Sequence, residues 1–106
     1  MRRLAVLLVP IFVLAVLAAP SFGTGVSVGV KNYKFAPKSI TIKKGTRITW
    51  NWHSSGVPHD VTGKSWSSGI KTSGHYRHTF RTKGTFTVVC KIHLKSNHMK
   101  MTVKVV

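Results

Sequence analysis

With 17 Lys plus Arg against a single acid, Asp60, a chain of 106 residues carries a formal net charge of +16. One carboxylate excludes acid–base catalysis by paired acids, carboxylate-rich calcium sites and two-metal phosphoryl transfer. One cysteine, Cys90, excludes an internal disulfide, so a small domain must find another staple.

The chain opens Met1-Arg2-Arg3, then runs apolar over residues 4–19 with only Pro10 interrupting. That run is shorter than the roughly 18–20 residues a spanning helix needs. Small residues (Ala18, Ala19, Ser21, Gly23) follow its apolar centre. Residues 1–19 therefore read as a secretory signal peptide in preference to an uncleaved anchor. The protein is expected to be exported to a periplasm, the cell surface or the medium. Residues 20–25 read as a flexible lead-in, and residues 26–106 as one domain with about fourteen net positive charges, whose natural partners are acidic.

Beyond Val26 the sequence is written in short strands. Ile40 and Ile42 alternate with polar neighbours, as do Ile48, Trp50 and Trp52, then Phe86 and Val88, then Met101, Val103 and Val105. Such period-two patterns with one apolar face predict antiparallel sheets, half buried and half wet. Gly45, Gly56, Gly63, Gly69, Gly74 and Gly84, with Pro37 and Pro58, break them at turn-like intervals. No helical stripe interrupts the pattern. The expected fold is all-β, a Greek-key two-sheet β-sandwich of about seven or eight strands. Trp50, Trp52, Trp66, Phe35, Phe80 and Phe86 are expected in the core, and His75 and His78 on a polar face.

Chemistry gathers late in the chain, in Val89-Cys90-Lys91-Ile92-His93-Leu94-Lys95-Ser96-Asn97-His98-Met99, with Pro58-His59-Asp60-Val61 upstream. Each residue alone is ordinary: a strand-end Cys is most often a small buried hydrophobe, and a lone His a surface residue. Together, one thiolate, two imidazoles and a thioether make the ligand set of a type 1 copper site. Soft sulfur stabilises Cu(I), imidazole suits both oxidation states, and a weak axial thioether lets the charge change with little rearrangement. Coordination also accounts for the unpaired cysteine of an exported protein. A tetrahedral Cys–His zinc site is the rival, and the methionine favours copper.

At this point the sequence resembles the plastocyanin- and amicyanin-type cupredoxins, small blue-copper electron carriers. The likeness runs from about Val28 to Val105. It rests on Tyr33-Lys34-Phe35-Ala36-Pro37, Gly45-Thr46, Ile48-Thr49-Trp50, Pro58-His59-Asp60-Val61, Phe80 with Gly84-Thr85-Phe86, Cys90-x-x-His93, and Met99 ahead of Val103 and Val105. The resemblance implies a sandwich of eight strands or slightly fewer, with one copper ion at one end. It implies that His59, Cys90 and His93 form the trigonal plane, and that electrons pass at the exposed edge of His93.

Two departures stand out. The family usually has four residues or fewer between its second His and its Met, whereas Leu94 to His98 intervene here. This places His98 where plastocyanins carry Met, yet counting back in twos from Val105 through Val103 and Met101 lands on Met99. Met99 is thus preferred over His98 as axial ligand. The other departure is Asp60 beside His59. It either orients the copper loop through hydrogen bonds or is a solvated turn residue.

The leading functional reading is an exported, monomeric one-electron carrier that docks transiently with acidic redox proteins. A copper sequestration or delivery protein of the cell envelope is the alternative. A cationic binder of anionic envelope polymers or lipid is a third, from a different class. Specific nucleic-acid binding is not expected, because the lysines are scattered and the aromatics belong to the core. Nor is an enzyme: no Ser–His–Asp set or phosphate loop is present, and an axially filled copper has no open position.

Overall fold

The computed structural model describes residues 25–106. The expected signal peptide and nearly all of the lead-in lie outside them. Seven strands form: β1 (Gly25–Lys31), β2 (Lys34–Ala36), β3 (Ser39–Ile42), β4 (Arg47–Trp52), β5 (His75–Thr79), β6 (Gly84–Val89) and β7 (Lys100–Val105), with one helical turn, α1 (Leu94–Asn97), between the last two. They build two sheets, ordered β2-β1-β4-β5 and β3-β7-β6.

The alternation read from sequence is the alternation found. Ile48, Trp50 and Trp52 of β4 are buried, as are Met101, Val103 and Val105 of β7. Their side chains meet between the sheets, with Val28, Val30, Phe35 and Val88. Even the polar edge of Trp50 is used, its indole N–H donating to Met101 Sδ at 3.4 Å.

Pairing direction differs from expectation. The sheets are mixed: β1 runs parallel to β4 (Val28 opposite Trp50), and β3 parallel to β7 (Ile40 opposite Val103). Alternation reports one buried face and carries no information on which way a neighbour runs. Direction comes from connectivity. After β2 the chain crosses to the other sheet as β3 and returns as β4, which then points the same way as β1. A helical turn was not expected either, and α1 is too short to leave a periodic signature.

His78 also departs from the reading. It faces inward with Tyr76 and stacks on Trp66, ring centroids 4.0 Å apart. Trp66 in turn lies on Gly63, where an added Cβ would come within 2.3 Å of the indole. Gly63 is thus a seat for the ring, a close approach that no larger residue permits.

Registers bring the functional end together. Lys31 faces Lys34 across the β1–β2 turn, Val30 faces Trp52 at the end of β4, and Val89 faces Lys100 where β6 leaves its sheet. The β1–β2 turn, the loop after β4 and the β6–β7 loop therefore share one end of the sandwich.

Candidate metal centre

Two arms deliver the donors. The first follows β4, where His59 is pinned by a two-way backbone bridge to Lys71 (3.0 and 2.9 Å). The Trp52 indole N–H donates to the His59 carbonyl at 3.3 Å. The second leaves β6 at Cys90. Thr62 and Val89 exchange backbone hydrogen bonds, both 2.9 Å, and so stitch the two arms together immediately before the cysteine.

The loop after Cys90 closes on itself. Cys90 N–H donates to the Met99 carbonyl at 3.0 Å, and the amides of Asn97 and Met99 both donate to the His93 carbonyl, at 3.0 and 3.4 Å. The α1 turn takes up four of the five residues between His93 and Met99. That turn ends on His98 in the left-handed conformation (φ 53°), a position where histidine is better tolerated than most residues. As a result His98 is exposed and Met99 is buried, at 1% of its accessible area.

Of the residues singled out from sequence, His59, Cys90 and His93 converge. The thiol Sγ lies 3.8 Å from His59 Nδ1 and 3.6 Å from His93 Nδ1, and the two nitrogens are 3.1 Å apart. The point equidistant from all three lies about 2 Å from each, close to the length of a metal–imidazole or metal–thiolate bond. The donors are therefore already spaced for a trigonal metal ion. Cys90 and His59 are fully buried and His93 is half-buried, so the centre reaches the surface through His93.

Asp60 is buried and hydrogen-bonded, not a solvated turn residue. One carboxylate oxygen accepts from the Thr62 hydroxyl and the other from the Ile92 amide at 3.4 Å, so Asp60 ties the His59 arm to the loop between Cys90 and His93. Its own amide approaches Cys90 Sγ at 3.5 Å, a donor aimed at the sulfur.

Sequence reasoning missed Tyr33 as a neighbour of this centre. Its ring meets that of His93 edge-on at 4.9 Å and that of His59 at 6.0 Å. Its only signal was membership of the Tyr33–Pro37 segment that carries part of the family likeness, and that says nothing of what the ring leans on.

Burial sets the protonation of the buried donors and of His78. Desolvation, then the neighbouring His93, lowers the His59 pKa, with Asp60 opposing. Desolvation, then Arg81, lowers that of His78. Desolvation is also the largest influence on Cys90, whose thiol is pushed up although amide donors pull the other way. The unfolded chain thus takes up histidine protons more readily, and stability is lost as pH falls below the ordinary histidine value of 6.5. The unfolded chain also gives up the thiol proton more readily, so stability is lost again as pH rises beyond the ordinary cysteine value of 9.0. Melts of the metal-free protein across pH are expected to peak between these values. A melting temperature rising steadily through pH 9 would show that the thiol is not protected by burial.

No protein-family model and no curated protein matches the chain. Solved structures do. An oxidised amicyanin variant superposes with a TM-score of 0.67 at 20% identity, covering 76% of this chain and 81% of that one. A purple cupredoxin from Nitrosopumilus maritimus gives 0.65 at 22%, covering 76% and 98%. Oxidised plastocyanin from Dryopteris crassirhizoma gives 0.60 at 23%, covering 76% and 100%. Two mixed sheets, seven strands in all, with a His–Cys–His triangle at one end, thus make this chain a cupredoxin in fold.

Proposed function

We propose that the protein is an exported blue-copper carrier of single electrons, holding one copper ion through His59, Cys90 and His93 with Met99 as a weak axial ligand. The observation that carries this reading is the triangle: three donors of the right types at metal-bond spacing, held by backbone hydrogen bonds. When bound there, copper supplies a one-electron Cu(I)/Cu(II) couple.

The chain's own residues do the rest. Cys90 gives up its proton on metal uptake, and the Asp60 amide beside its sulfur favours the thiolate. The donors come from loops closed by backbone bonds and are spaced in advance, which keeps rearrangement small. His93, half-buried beside exposed Ile92 and Tyr33, is the route by which an electron reaches a partner. Beyond Arg2 and Arg3, the fifteen remaining lysines and arginines against Asp60 favour acidic redox proteins in transient encounters. Among the described residues no helix is long and apolar enough to cross a membrane. Export rests on the character of residues 1–19.

The experiment is titration of the mature protein with Cu(II), followed by visible absorption. A strong thiolate-to-copper band is expected, and a colourless complex under oxidising conditions would end the type 1 assignment. The same titration identifies the axial ligand. Met99→Gln should keep a coloured site with a shifted potential, whereas His98→Ala should change spectrum and potential little. The reverse pattern would make His98 the ligand.

A further inference from the structure

Tyr33 sits in the turn between β1 and β2 with φ 65°, the left-handed region that glycine and asparagine occupy readily and a bulky aromatic does not. Core packing does not require it there, since the residue is 44% exposed. Its ring instead stands almost perpendicular to both metal-site imidazoles, at 86° to His93 and 79° to His59. Such edge-on contacts are a favoured aromatic arrangement. A strained backbone that presents a half-exposed ring edge-on to the two histidines calls for a role at the site.

We propose that Tyr33 is a positioning residue that braces the His93 imidazole and shields the open side of the triangle from small solutes. It leaves the outer edge of His93 available for electron exchange. The inference rests on the copper-site reading above. Its working part is the aromatic ring and not the hydroxyl, because the contact is ring to ring.

The test compares the mature protein with Tyr33→Gly and Tyr33→Phe. Glycine removes the ring and also relieves the positive φ, so the variant should keep its fold, which a thermal melt verifies. In metal-free protein, alkylation of Cys90 by iodoacetamide should run about three- to tenfold faster in Tyr33→Gly, the span that loss of an edge-on ring contact allows. Tyr33→Phe should stay within about twofold of the wild type, since it keeps that contact. In copper-loaded protein, azide should perturb the visible band of Tyr33→Gly at concentrations that leave the wild type and Tyr33→Phe unchanged. A glycine variant that matches the wild type in either measurement overturns the proposal, and so does a phenylalanine variant as open as the glycine one. If the wild type binds copper without a visible band, the copper reading fails, yet the alkylation rates still decide whether Tyr33 shields the triangle.

Discussion

Cys90→Ser is expected to abolish the visible band altogether and to weaken copper binding by more than about a hundredfold, while the sandwich stays folded. The band requires a sulfur-to-copper bond, which a hydroxyl cannot replace. The affinity estimate is a floor: changing even a group that only hydrogen-bonds to a metal ligand costs about 10–100-fold, and here a ligand itself is lost. Folding should survive because serine is close in size and its hydroxyl would lie near partners. The Asp60 amide is 3.5 Å from the sulfur position, and the two imidazole nitrogens are 3.6 and 3.8 Å away. Placing a partly satisfied hydroxyl there costs about 1–3 kcal/mol, which a melt of the metal-free variant should register as a modest loss. A serine variant that retains the band would remove Cys90 from the site.

The metal triangle was legible because its residue types are rare in combination and close in sequence at one end: Cys90 and His93 share a loop. The sandwich was legible because Ile48, Trp50 and Trp52, and the Met101–Val105 alternation, print a buried face directly into the text. What the sequence left open depends on approach between distant segments. The parallel partnership of β1 with β4 follows from a crossing through the other sheet, which no local pattern encodes. Asp60 could be read either as a solvated turn or as a tie between loops, and only the position of the Ile92 amide, 32 residues on, settles it. The contact of Tyr33 with His93 spans a gap nearly twice as wide. His78 was misplaced for a related reason: imidazole is polar in composition but flat in shape, and beside Trp66 the flat face decides.

Asp60 also shows how one acid serves so basic a chain. Its two oxygens and its amide reach three separate elements of the site: Thr62 on the His59 arm, Ile92 on the ligand loop, and the Cys90 sulfur. A neutral Asn keeps the shape but offers only one accepting oxygen, and the Ile92 amide, which can only donate, would claim it. The Thr62 hydroxyl would then have to turn its proton to Ser67 and accept from the Asn NH2, and both charge-assisted bonds would be lost. The acid is therefore spent on holding the loop, and the surface is left almost wholly to cations.

That division has a measurable consequence in which charge and stability separate. Oxidation of the copper(I) protein by an anionic oxidant, hexacyanoferrate(III), should slow at least about tenfold as salt rises from roughly 0.01 to 1 M, because the screening length shrinks from about 30 to 3 Å. A cationic cobalt(III) oxidant should show the opposite trend. Copper itself should raise the melting temperature by linkage, since the spaced triangle exists only in the folded chain. At a free concentration a thousand times the dissociation constant the gain is about 4 kcal/mol, a rise on the order of 15–30 °C for a domain of this size. That rise should barely respond to salt, because Cys90 and His59 are buried from counterions while the lysines are not. Stopped-flow salt series run beside melts of metal-free and loaded protein measure both. If the hexacyanoferrate rate is flat in salt, the positive surface does not steer electron-transfer encounters, and a role in binding anionic envelope polymers gains the ground that redox docking loses.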